Sequence, residues 1–438
     1  KAKNLPAAIA DAASIRASEI IYSSAGGEQP QYLVNELSNA ISRGDIRMAI
    51  IAGGEAHAAV KIALKKRLQL DWTSAISAEI EDRGPQIDFI SGYEIANGMG
   101  LPPQTYAAME EALRARLGLS QAEYLDYIAD ICAGLSATAE QNPYAQFSRA
   151  MTKEFLAQPS SKNYPICDPY LKWHVAQDAV NQASSLILTS VGQAQVLGIP
   201  EEKWVYLHGY SNVQDRLVSQ RPDLSKSLAL ELALTSAIHR AGISAADIAY
   251  RDIYSCFPMV VHLAAEVLGL NPGKDEMTVT GGLPFFGGSG NNYSTHAIAS
   301  MVDKLRQDPE AYGLILANGG YVSKQSAGIY SARALSTWPD HSSNDMQKAI
   351  DAQPQYKLLE QDCEAEIEAY TVRHNRHGCD HAYLFARNTQ GRVMASVPAD
   401  HRATMQAIHN FDSPVGRSVK IRHRNGKNYL INPHPIGG

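Results

Sequence analysis

The side chains best suited to chemistry in this chain stand at strand ends and beside glycine-rich turns. In DIYSCFP an apolar run ends at Cys256, and the hydroxyl of Tyr254 can donate a hydrogen bond into the same space. His208, in YLHGYS, ends a second run with strand character and is expected to line that cavity. A nucleophilic thiol must be a thiolate, which needs a helix N-terminus or a cation beside it. Cys256 instead ends a strand, and Arg251, five residues back, falls on the opposite face. Its thiol is therefore expected to be protonated and weakly nucleophilic at neutral pH.

The turns that would hold a reacting group are easier to read. Gly26 and Gly27 sit in SSAGGEQP, and Leu33, Leu37, Ala40 and Ile41 then follow at helical spacing. Such a turn aims free backbone N–H groups at one point, a place for an anion or a nucleophile. It holds neither Cys nor Lys, so it reads as a site built and left empty. The helix leads to MAIIAGGEA (48–56), read as a buried parallel strand. Some 250 residues later the pattern returns. GGLPFFGGSGNN supplies a turn with Gly287, Gly288 and Asn291, Ile298 to Leu305 supply a helix face, and LILANGG ends in Gly319–Gly320. Both units read turn, helix, strand, Gly-Gly, which indicates a duplication with both turns facing one pocket. Asn291 and Asn292 are expected to cap the second helix, and His296 to pack within it.

At 438 residues, with 45% hydrophobic and 19% charged residues, the chain can bury a large core. A net charge of -6 makes nucleic acid an unlikely main partner. No apolar run is long enough for a membrane helix, so no membrane partner is expected. Five scattered cysteines suit a reduced, cytoplasmic protein. GGSGNN and NPGKD fail the dinucleotide and phosphate-loop spacings, so no nucleotide cofactor is expected. His374, His377, Cys379 and His381 in HNRHGCDH match no zinc pattern, and no metal site is expected.

The blocks GGEQPQYLVNELSNAISRGDIRMAIIAGGEA, DIYSCFP, TGGLPFFGGSGNNYSTHAIASMV and LILANGGYVSKQSAGIYS resemble the thiolase superfamily. They are closest to its sterol-carrier-protein-like and bacterial acetyl-CoA acetyltransferase branch, and the likeness covers about residues 1–335. It implies a duplicated five-layered α/β/α/β/α core whose N-terminal part is incomplete here, with a segment expected before Lys1. It implies the acyltransferases of lipid metabolism, an acyl-CoA or other thioester as substrate, and a homodimer. The family's nucleophile turn falls on Gly26 to Gln29, its Gly-His-Pro histidine near Gly287–Gly288, and its second Cys motif near Ala317 to Gly320, where Asn318 is the only polar side chain. The expected nucleophilic Cys and both His or Cys partners are absent together, with Tyr254 where Asn or His would stand. Cys256, Tyr254, His208 and Asn318 remain as pocket-lining candidates for catalysis. Gly26, Gly27, Gly287, Gly288, Asn291 and Gly319 remain as candidates for substrate binding. The resemblance thus implies a thiolase-like homologue without ordinary thiolase chemistry, or a repurposed fold binding an acyl-CoA, lipid or protein.

The tail resembles the additional C-terminal domain of thiolase-like proteins of type 1. The expected domains are an N-terminal half, 1–222, with a helical loop region at about 66–160, and a C-terminal half, 223–340. A linker at 341–357 and a small β-rich, OB- or barrel-like domain at 358–438 follow. The basic run GRSVKIRHRNGK in the tail reads as a solvated alternating strand.

Overall fold

The computed structural model describes residues 4–72, 78–84, 89–338 and 343–431. Two helices form its central layer. Helix α1 (Gln29–Arg43) ends on Gly44 in the left-handed region, and the long loop region supplies α2 (Pro102–Leu117) and α3 (Gln121–Gln141). After α4 (Leu228–Arg240) and α5 (Pro258–Leu268) comes the second central helix, α6 (Tyr293–Gln307). Helices α1 and α6 touch each other and lie between two sheets.

One sheet pairs β1 (Met48–Glu55) with β2 (Gln182–Thr189). The other contains β3 (Tyr206–Gln214), β4 (Ile248–Ile253), β5 (Tyr312–Gly319) and β6 (Lys324–Ser331), in the order β3-β6-β5-β4. Strands β5 and β6 are almost wholly buried, since helices cover both faces. Strand β1 departs from expectation. It runs antiparallel to β2, and Met48 and Ile50 are exposed while Ile51 is buried. Among the described residues its sheet is two strands wide with one face on the central helices, so alternate side chains face solvent.

The buried face of α1 also differs from its apolar stripe. Leu33, Leu37, Ala40 and Ile41 are only partly buried, whereas Gln31, Val34 and Asn35 are fully so. The amides are tolerated because each is bonded. Gln31 accepts from Tyr330 at 2.8 Å and donates to Asn35, which donates to Asn212 at 2.8 Å.

Helix α7 (Asn344–Asp351) lies within the segment read as a linker, part of which falls outside the described residues, and it buries Met346 and Ile350. Beyond it, β7 (Cys363–Asn375), β8 (Gly378–Asn388), β9 (Gly391–Val397), β10 (Ser418–Arg424) and β11 (Lys427–Leu430) close a five-stranded barrel. Its β-rich texture is as read, with one addition. Helix α8 (Arg402–Asn410) packs on β8 and buries Met405 and Ile408, an i, i+3 pair set between strands. The barrel is seated on the core. Arg392, wholly buried, pairs with Glu368 and donates to the carbonyls of Ser219 and Arg221. The short strands Pro165–Cys167 and Tyr170–Leu171 extend the barrel sheet from the core side.

Candidate active site

The two glycine-rich turns meet. Gly26 N–H donates to Asn291 Oδ1 at 2.9 Å, and Ser294 Oγ donates to Gly27 C=O at 2.6 Å. The N-termini of α1 and α6 therefore face one centre, and each inserts its first side chain into the other unit. A Cβ at Gly319, the end of β5, would collide with the Glu28 carboxylate. A Cβ at Gly53, in β1, would lie 2.8 Å from Asn292 Oδ1. These glycines are required by close approach.

The first turn is thus not empty. Glu28 immediately precedes α1, is almost fully buried, and receives a 2.7 Å hydrogen bond from Gln29 Nε2. Its carboxylate fills the space between Gly26 and Gly319. A signal for it was present: an acid directly before a helix, where the dipole and free N–H groups favour negative charge.

Cys256, Tyr254 and Asn318 are brought together around this point. Asn318 Nδ2 lies 3.6 Å from Cys256 Sγ and 2.9 Å from Tyr106 Oη, and Asn318 Oδ1 accepts from Gln325 at 2.7 Å. The Tyr254 hydroxyl fills the space a Cβ on Gly27 would take, and its ring meets Tyr293 edge-on at 5.4 Å. Burial pushes the Cys256 thiol up to about 12, with the Tyr106 and Asn318 hydrogen bonds pulling the other way. Burial likewise raises Tyr254 well above its ordinary value, reinforced by Cys256 and Glu28. Both are neutral at pH 7. Tyr106, from α2, joins them. It stacks on Phe257 at 4.1 Å and takes the Val322 N–H, so it ties the loop region to the strand ends. Nothing near Tyr106 in sequence distinguishes it from a core tyrosine.

Other candidates lie elsewhere or act differently. His208 points away from the cavity: its Nε2 lies 2.9 Å from Arg333 O and its ring meets Tyr312 edge-on. It sits within β3, an edge strand of its sheet among the described residues. Asn291 does not cap α6. Besides accepting from Gly26 it donates to Ser24 O at 2.7 Å, clamping the opposite turn. Asn292 is the cap residue but makes no side-chain cap bond. Gly287 packs against Val180 and Gln182, and Gly288 N–H donates to Gln177 O at 2.8 Å, so both are held by the loop rather than open to a ligand. His296 packs against Phe286 at 5.2 Å, but its buried Nε2 has no partner among the described residues. Burial pulls that imidazole down to about 4.

A groove of about 600 Å³ lies beside this region, lined by Arg149, Met151, Phe155, Lys162, Lys172 and Trp173 among others. Lys172 Nζ sits 4.4 Å from the Trp173 ring centre, and Trp173 stacks on Phe285 at 6.0 Å. Three residues on, Ala176 N–H bonds Cys256 O at 3.1 Å, so one segment joins groove and centre.

Two sheets, a shared layer of paired helices and crossed helix N-termini define a thiolase-like fold. The chain is 33% identical to a monomeric SCP2-thiolase-like protein type 1 from Mycobacterium smegmatis, over 98% of this chain and 87% of that one, with a TM-score of 0.85. It belongs to the SCP2-thiolase-like protein type 1 family. The family model of the thiolase-like protein type 1 additional C-terminal domain matches residues 345–426. The Ltp2-ChsH2(DUF35) aldolase, 16% identical over 71% of this chain and 79% of that one, has a TM-score of 0.53 and shares the fold alone. No curated protein sequence matches. Among the described residues no helix is long and apolar enough to cross a membrane.

Proposed function

We propose that this protein binds an acyl-CoA-type thioester without transferring its acyl group through an enzyme thioester. The carrying observation is Glu28, whose carboxylate occupies the place at the N-terminus of α1 where the family resemblance sets the nucleophile. The thiol that remains, Cys256, is held protonated at neutral pH by burial and has no cation or imidazole among its hydrogen-bond partners in the described residues. Neither activates it. Binding is supported by the neighbouring groove. Arg149, Lys162 and Lys172 suit phosphates, and Trp173 with Phe155 and Met151 suits an adenine ring and an apolar tether. Five free cysteines support a reducing, cytoplasmic setting. A homodimer would pair through the exposed Met48, Ile50 and Ile187 of the β1–β2 sheet. Light scattering that shows a monomer at working concentration removes it.

Calorimetry with CoA and dephospho-CoA tests the binding reading, with acetoacetyl-CoA cleavage assayed alongside. CoA is expected to bind, Lys172→Glu to weaken it at least ~10-fold by replacing attraction with repulsion, and Cys256→Ser to leave it near unchanged. Acetoacetyl-CoA cleavage is expected to be absent. Cleavage that Cys256→Ser abolishes would make Cys256 a working nucleophile and end the proposal. CoA affinity indifferent to Lys172→Glu would remove the ligand from the groove.

A further inference from the structure

Three ligating side chains from three separate elements converge where the barrel meets the core. Asp168 stands between the short strands Pro165–Cys167 and Tyr170–Leu171, on the core side. His374 comes from β7 and His409 from the last turn of α8. Asp168 Oδ1 lies 2.6 Å from His374 Nε2, and Oδ2 lies 2.7 Å from His409 Nδ1. One ligand atom from each residue lies within 4.8 Å of the other two. We propose that Asp168, His374 and His409 form a binding site for a divalent transition-metal ion, Zn2+ by preference, that pins the barrel to the core.

The donor set decides the ion. Two imidazoles and one carboxylate suit Zn2+ better than the oxygen-seeking Ca2+ or Mg2+. Ligand atoms around Zn2+ lie about 2.0–2.2 Å from it and hence about 3.3 Å apart. The two short nitrogen–oxygen pairs need open only by several tenths of an ångström, and the two imidazole ring centres already lie 5.0 Å apart. The carboxylate is already aimed. Asp168 N–H bonds Val372 O at 2.9 Å and its own C=O accepts from Thr371 Oγ1 at 2.9 Å, fixing it to the strand that carries His374. The His374 side chain is 7% exposed and that of His409 36%, so the fourth position opens to solvent on the His409 side and takes a water. Cys379 pairs directly across from His374, but its thiol is turned to Gln406 Oε1 at 3.6 Å and is not a ligand. Histidine spacing within HNRHGCDH could not show this site, because two of its three ligands lie outside that loop.

The test is ZnCl2 titration of the full chain after chelator dialysis, read by calorimetry and by thermal melting. One Zn2+ per chain is expected, with a Kd of about 1 µM or tighter and a higher Tm. His409→Ala, on an outer helix, should weaken binding at least ~10-fold while leaving the melting temperature without zinc near the parent value. Asp168→Asn should act the same way on binding, and Cys379→Ser should leave it unchanged. A proton-held Asp–His–His triad would show no saturable zinc uptake, and that result overturns the proposal. So does zinc binding that survives His409→Ala, or that Cys379→Ser abolishes.

Discussion

Glu28 and Asn292 hold equivalent places in the two repeated units. Each stands immediately before a central helix, and each lies against a glycine of the other unit's strand, Gly319 and Gly53 respectively. Their surroundings differ. On the Glu28 side, hydrogen bonds link Gln29 to Glu28, and Asn318 to Tyr106, Cys256 and Gln325. On the Asn292 side, Ser289 Oγ, Asn292 Nδ2, Thr295 Oγ1 and His296 Nε2 are all buried without a protein partner among the described residues. One backbone frame thus carries two chemically unlike fillings. The crossed-helix geometry is kept by glycine clearance and does not depend on which polar group fills it.

The sharpest break in this symmetry should come from the glycines. Gly319→Ala drives a methyl into the Glu28 carboxylate and is expected to cost about 3 kcal/mol or more in urea unfolding. Gly53→Ala meets the Asn292 side chain less closely, with Oδ1 at 2.8 Å, Cγ at 3.1 Å and Cβ at 3.3 Å, and should cost about 1 kcal/mol. If Glu28 is the obstacle, adding Glu28→Ala to Gly319→Ala should recover more than half of the loss, a coupling that Asn292→Ala, whose side chain lies against Gly53, should not supply. Equal costs at the two glycines, or no recovery, would show that Glu28 does not fill the space as described.

The frame was legible in the sequence because turn, helix and strand periodicities are local. Ile298, Met301 and Leu305 form a buried helix face as their spacing implies, and the barrel strands follow their turns. The filling was not. Glu28 is not among the residue types that a nucleophile turn calls for, although its position before α1 marks it. The cap rule that fits Asn291 is local, whereas its partners Ser24 and Gly26 lie some 265 residues away. A strand end alone, the only signal at His208, says nothing of the side its ring takes. The buried amides of α1 defeat an apolar-stripe reading because their partners, Tyr330 and Asn212, come from other strands.

A second, smaller difference is readable in pH. Glu110, on α2, is buried on the Cys256 flank and accepts from Tyr124, Tyr170 and the Met259 N–H at the start of α5. Burial pushes it up to about 7, against the lowering effect of those bonds. A raised folded value means the folded state holds the proton more tightly. Its contribution is whole below the ordinary carboxylate value of 4.5 and is lost as pH rises through about 7. Relative to Glu110→Gln, the parent should lose roughly 2–3 kcal/mol between about pH 5 and pH 8. Parallel stability curves for parent and variant would show that Glu110 stays ionised.

His296, on the opposite side, should show the reverse sign and the smallest effect. Its folded value is depressed by burial from 6.5 to about 4, so the unfolded chain takes up the proton first as pH falls. Its contribution is whole above about 6.5 and fades as pH drops through about 4. Replacing it tests both its charge and its orphan nitrogen. His296→Phe keeps a ring against Phe286 and removes the unpartnered Nε2, whose burial costs about 1 kcal/mol. At pH 7.5 the variant should therefore match or exceed the parent by up to about 1 kcal/mol, and its advantage should widen steadily toward pH 5. A variant clearly less stable at pH 7.5 would mean that Nε2 is engaged by a group outside the described residues. The Asn292 side would then be a polar site in use, and the contrast with the closed Glu28 side would become one between an occupied and a plugged half.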